Sequence, residues 1–157
     1  MNLPLLAAGA FWAAWLSSSA QDVGRVRVET RDRADGRPVA ARLYLTDRSG
    51  APRTPAGVIR YDKGEEHHFL ATGASEFELP PGDYRLLVER GAEYRAASRD
   101  LAIRPGPAAR QTIWLERWID MNRRGWYSGD LHNHRRADEM PILLQADDLN
   151  LAPTITD

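Results

Sequence analysis

Between residues 23 and 115 apolar and polar side chains alternate in short runs broken by glycine, proline and aspartate. Val26 and Val28 alternate with Arg25, Arg27 and Glu29. After the turn signal Asp35-Gly36, Val39, Ala41, Leu43 and Leu45 line one face of a second run. A period of two marks a half-buried strand, because successive side chains point to opposite sides of a sheet. The chain turns at Asp47-Arg48-Ser49-Gly50, and Phe77 and Leu79 alternate with glutamates up to Pro80-Pro81-Gly82-Asp83. Tyr84, Leu86 and Val88 follow, then Leu101 and Ile103, and after Pro105-Gly106-Pro107 come Ile113 and Leu115. No helical period competes in this region. The pattern predicts a mainly β protein whose residues 23–115 form an antiparallel β-sandwich of about seven strands, with a core able to fold alone. Ala51 to Glu66 carries Pro52, Pro55, Gly57 and Gly64, and reads as a long loop with a short strand at Val58 to Tyr61.

The flanks differ from this middle. Leu3 to Leu16 is an apolar segment followed by Ser17-Ser18-Ser19-Ala20 and the polar Gln21-Asp22, the layout of a signal peptide over residues 1–20. It is shorter than the roughly 20 apolar residues of a membrane span. No Lys or Arg precedes it, and a buried N-terminal helix is the competing reading. The expectation is an exported protein, periplasmic or secreted, with no stable membrane anchor after cleavage. At the other end, residues 116–124 join two regions with Trp118, Ile119 and Met121 rather than glycine and serine, so this linker is expected to pack. Its aromatic residues would be buried against a following barrel, and left exposed if the chain ends at Asp157. Beyond His134, Asp138 is placed to cap a helix with Pro141 in its first turn. Ile142, Ala146 and Leu149 would face inward, and Leu151 to Thr156 reads as the next strand.

Composition changes little: 43% hydrophobic and 27% charged residues are ordinary for a globular chain of 157 residues. Lys+Arg 21 against Asp+Glu 22, a net charge of -1, gives no electrostatic case for a nucleic-acid partner. The absence of cysteine removes thiolate chemistry and leaves packing or metal to stabilise an exported product. Arg25, Arg27, Arg31 and Arg33 read as solvated strand edges.

The candidate chemistry lies in Gly125-Trp126-Tyr127-Ser128-Gly129-Asp130-Leu131-His132-Asn133-His134. In an extended strand Asp130, His132 and His134 share one face, with Leu131 and Asn133 on the other. Two imidazoles one residue apart can converge on a divalent cation, and a neighbouring carboxylate can ligate it or orient a histidine. A bare His-x-His is commonly an exposed pair without metal, so the flanking residues decide. Gly125 and Gly129 suit a strand that starts abruptly or approaches another group closely. Trp126 and Tyr127 fit either packing or a pocket wall. Adjacent His67 and His68 would point to opposite faces, which makes them poor co-ligands and favours a structural or solvated role. Arg135 and Arg136 could meet an anionic group or simply be solvated.

This run, Arg135-Arg136 and the segment from Leu143 to Thr156 resemble the opening of a PHP-type metal-dependent hydrolase domain, and more narrowly its carbaryl-hydrolase-like branch. The resemblance implies that residues 125–157 are the first β-α-β of a distorted β/α barrel, incomplete here because such a barrel takes about 200 residues or more. It implies that His132 and His134 are metal ligands and that Asp130 is a catalytic-site aspartate. The cofactor would be a divalent metal, Zn, Mn or Fe. Asp-Gly-Arg-Pro-Val-Ala-Ala-Arg and Phe-Glu-Leu-Pro-Pro-Gly-Asp-Tyr-Arg-Leu resemble the carboxypeptidase-regulatory or prealbumin-like, Ig-like sandwich. Two functions follow as expectations. One is the N-terminal portion of an exported hydrolase acting on a small-molecule ester, amide, carbamate or phosphoester, inactive as an isolated fragment. The other is a secreted, non-enzymatic, carbohydrate-binding-like sandwich with a vestigial tail.

Overall fold

The computed structural model describes residues 23–154. The segment read as a signal peptide lies outside the described residues, as does the end of the strand expected to reach Thr156. Nine strands form two sheets: β1 (Gly24–Asp32), β2 (Ala41–Asp47), β3 (Arg60–Lys63), β4 (Glu66–Ala71), β5 (Ala74–Leu79), β6 (Gly82–Glu89), β7 (Tyr94–Arg95), β8 (Ala97–Ile103) and β9 (Ala109–Arg117). One sheet has the order β5-β1-β9-β7, and the other β3-β4-β2-β6-β8. Val26, Val28, Ile113 and Leu115 from the first sheet meet Leu43, Leu45, Leu86 and Val88 from the second in one core. Phe69 and Phe77 cross it edge to face, with centroids 5.4 Å apart. The β-sandwich expected from the alternation is the observed architecture.

Three details depart from the expectation. β1 pairs with β9 in parallel, so the sandwich is not wholly antiparallel. β1 lies between β5 and β9, and Arg27 and Arg31 therefore stand on the outer face of a central strand, where both pair with Glu29, rather than on an edge. The expected long loop contains β3, displaced toward Lys63 and paired with β4 from Arg60↔Phe69 to Lys63↔Glu66. β4 escaped the period-two reading because both its faces are covered. Phe69 and Ala71 enter the sandwich core, while Leu70 on the opposite face packs under the helix that follows the histidine segment.

That helix, α1 (Met140–Ala146), carries Pro141 in its first turn as expected, but Glu139 precedes it without a side-chain cap, and Asp138 instead pairs with Arg136. Its buried face is Met140, Leu143 and Ala146, which differs from the predicted stripe because the helix is short and lies across β2 and β4. Ionic contacts fix its C-terminal end. Asp147 receives the Arg42 guanidinium on both carboxylate oxygens. Asp148 accepts from Arg90 Nη2 at 2.7 Å and from Arg117 Nη2 at 2.5 Å. Arg90 Nη1 also donates to the carbonyls of Ala40 and Gln145, and both Arg90 and Arg117 lie over the Tyr94 ring. Gly91 permits this approach: its φ is +51°, and a Cβ there would collide with the Asp147 carbonyl oxygen.

Removing Asp148 would leave Arg90, whose side chain is only 8% exposed, without its carboxylate. Uncompensated buried charge costs about 3–5 kcal/mol. Asp148→Ala is therefore expected to release α1, seen as accelerated amide hydrogen exchange across Met140–Ala146 while the sandwich strands keep their protection. In the core, Phe69 is 1% exposed. Phe69→Ala should lower sandwich stability by about 3–5 kcal/mol in urea denaturation.

Candidate metal and substrate cleft

Residues 126–134 do not form a regular strand, and the chain bends at Leu131. Two isolated parallel bridges, Gly129↔Leu151 and Asn133↔Thr154, tie them to the chain after α1. Three residues lie between the bridged positions on one side and two on the other, so the register is bulged and the simple alternation of faces is broken. Gly129 sits at the tightest point, where a Cβ would lie 3.1 Å from the Leu151 carbonyl oxygen; the close approach is to backbone. Ser128 N–H donates to Asn150 Oδ1 (3.0 Å) and Asp130 N–H to the Leu151 carbonyl (3.0 Å). Of the strand-helix-strand order expected for residues 125–157, the described part appears as a parallel bridged pair around a short helix; the described residues contain no barrel.

His132 and His134 come together, with their Nε2 atoms 3.0 Å apart and ring centroids 4.9 Å apart. Asp130 lines the same cleft, but its carboxylate is engaged locally. Oδ1 accepts the His132 backbone N–H at 3.0 Å and Oδ2 the Asn133 amide at 3.4 Å. Among the described residues no three His, Asp or Glu side chains converge in the manner of a metal cage. The donor chemistry nevertheless fits a cation. Two facing imidazole nitrogens need either a shared proton or a positive ion between them, and this separation lets both reach an ion over the bonds of about 2.0–2.1 Å that imidazole makes to zinc.

The cleft is about 560 Å³ and is two-sided. Asp130, His132, His134 and Arg135 form one wall, and Arg42, Tyr61, Lys63, Glu66 and His68 from the sandwich form the other. The adjacent histidines of β4 do diverge. His67 turns outward to Asp62 (3.0 Å), and His68 is buried, 4% exposed, between Tyr44 and Tyr61. The Glu66 carboxylate lies 3.1 Å from His68 Nδ1 without the alignment that a hydrogen bond needs, so this nitrogen has no partner. The sequence signalled no cleft role for Tyr61 or Arg42; with His68 they reach it only through the pairing of β3, β4 and β2. Arg136 forms an exposed pair with Asp138, whereas Arg135 folds into the cleft.

The linker is held through polar groups rather than buried rings. Trp118 donates Nε1–H to the Ala92 carbonyl at 3.0 Å, and Arg117 pairs with Glu93. Trp118, Trp126 and Tyr127 are 55%, 68% and 74% exposed and border a second groove of about 360 Å³ with Ile119 and Met121. Among the described residues these rings border a groove rather than lie in a core.

The chain matches no protein-family model and no curated protein. Among solved structures it is similar to GBS52, the minor pilin of Streptococcus agalactiae, at 17% identity and a TM-score of 0.50, over 64% of this chain and 47% of the pilin. It also matches the TIE protein of Bacillus anthracis at 16% identity and a TM-score of 0.47, over 60% of this chain and 17% of that one. The matched region is thus about half the pilin's length, and the likeness to the pilin is one of fold, a β-sandwich.

Burial first, and the nearby Arg42 charge second, hold the His68 imidazole below its ordinary pKa of about 6.5. The folded protein keeps this ring neutral where the unfolded chain takes up a proton. Its contribution is therefore complete above about pH 6.5 and is lost as the pH falls from there toward the folded-state pKa. Urea stability should decline on acidification through this window, and His68→Phe should flatten that part of the profile.

Proposed function

We propose that the chain carries the opening of a divalent-metal site used for hydrolysis, built against an exported β-sandwich scaffold. The observation that carries this reading is the 3.0 Å approach of His132 Nε2 to His134 Nε2 in a cleft that the sandwich helps to wall. His132 and His134 would hold the ion, and Asp130 assists by fixing the His132 main chain through its carboxylate. A bound Zn, Mn or Fe ion would supply Lewis-acid chemistry, activating water and polarising the phosphoryl or carbonyl oxygen of a small ester, amide, carbamate or phosphoester. The PHP-type resemblance of residues 125–157 supports the same reaction class. Two imidazoles alone are expected to bind metal weakly and to turn over poorly or not at all. The signal-like pattern of residues 1–20 supports export, and among the described residues no helix is long and apolar enough to cross a membrane.

A second reading takes the sandwich as the functional unit, a non-enzymatic binding or adhesion-like module. Its support is the pilin likeness, which concerns the sandwich and sits better with this reading than with hydrolysis. Metal content of the purified protein, together with hydrolysis of chromogenic ester and phosphoester substrates, separates the two. His132→Ala is expected to lower bound metal at least tenfold and to remove whatever hydrolysis is present. Metal content and hydrolysis indifferent to His132→Ala would overturn the metal reading in favour of the binding module.

A further inference from the structure

We propose that Tyr61 and His68, on the β3–β4 hairpin of the sandwich, are positioning residues for the His132–His134 pair and act on it through Arg135. The inference rests on the metal reading of that pair. Arg135 follows His134 directly, and its backbone N–H is held by Asn133 Oδ1 at 2.8 Å. Its guanidinium carbon lies 5.7 Å from the centre of the Tyr61 ring. Tyr61 in turn stacks on His68, with centroids 5.3 Å apart and planes 19° from parallel, and His68 leans on Tyr44 of β2 at 5.3 Å. A column of flat groups therefore runs from the second strand of the sandwich to the residue beside His134.

The column sets the ring geometry because little else ties this stretch to the scaffold. Between residues 130 and 139, Arg135 alone among the described residues hydrogen-bonds to the sandwich, through two long bonds of 3.4 Å to the Arg60 carbonyl. Its Nη2 also pairs with Glu139 at 2.9 Å, just before α1, so the guanidinium links hairpin, histidine segment and helix. The Asp147–Asp148 contacts secure the far end of the helix, and at this end Arg135 adds a polar tie to the packing of Met140. Paired ligands must be held within about 0.5 Å of their productive geometry, and loss of an outer partner commonly costs 10–100-fold in metal affinity. The same column gives His68 a role. It is the directly paired cross-strand neighbour of Tyr61, and its stacked imidazole fixes the tilt of the Tyr61 ring.

The test is Co(II) titration of the whole chain, followed by visible absorption, for the unaltered protein and for Tyr61→Ala, Tyr61→Phe, Arg135→Ala and His132→Ala. Tyr61→Ala and Arg135→Ala should each weaken Co(II) binding about tenfold and change the ligand-field spectrum. Tyr61→Phe should restore both affinity and spectrum, because the ring face rather than the hydroxyl makes the contact. Thermal unfolding of the sandwich should be unchanged in Arg135→Ala, which lies outside the sandwich and keeps the test valid if Tyr61→Ala unfolds. Wild-type affinity and spectrum in Arg135→Ala, with binding abolished by His132→Ala, would overturn the positioning role and leave the metal reading standing. Co(II) binding to the unaltered protein that does not depend on His132 would overturn the metal reading itself.

Discussion

Two consecutive carboxylates, Asp147 and Asp148, hold the segment that bears the histidines against the sandwich. Burial disfavours charge on Arg42 and Arg117, but the facing carboxylates more than offset it and keep both guanidinium groups protonated. The three arginines come from separate places: Arg42 from β2, Arg90 just after β6, and Arg117 from the end of β9. Convergent charges from three strands define one position for the end of α1, whereas an apolar patch alone would permit sliding. Asp148 adopts a left-handed φ of 53°, a conformation tolerated by aspartate and held here by two ion pairs.

With α1 seated, the cleft follows as a consequence. Met140, Leu143 and Ala146 cover Ala40 and Leu70, so the outer face of β2 and β4 becomes the floor of a second small core. The chain leaving α1 runs beside residues 128–133 and bridges them in parallel, which brings His132 and His134 over the β3–β4 hairpin. Neither part makes the cleft alone. The sandwich supplies a stacked aromatic and ionic wall, and the C-terminal segment supplies paired nitrogen donors. A sandwich fold shared with a pilin is compatible with either function, since function depends on the groups grafted onto a fold.

The exposed rings mark a second surface with a different character. Trp118, Trp126 and Tyr127 lie on the side of the Asp148 contacts where the linker passes, and main-chain and indole hydrogen bonds anchor Trp118 and Trp126.

How much was legible in the sequence follows from how local each signal is. Alternation along β1, β2, β6 and β9 depends only on which side of a pleated strand faces a core, so the sandwich and most of its apolar face could be read directly. The same was true of the divergence of His67 from His68. The parallel β1–β9 pair, the doubly covered β4 and the place of β3 depend on which strands become neighbours, and period two carries no information about that. The bulge between Gly129 and Asn133 was equally hidden, so the local engagement of Asp130 came only from the folded chain. Arg42, Arg90 and Arg117 looked like any solvated arginines, because a charge shows its partner only when residues as far apart as 42 and 147 are brought within bonding distance. The sequence by itself determined the strands that alternate along one buried face; tertiary structure alone decided the clamp, the cleft and the company His68 keeps, since each is a contact between segments distant along the chain.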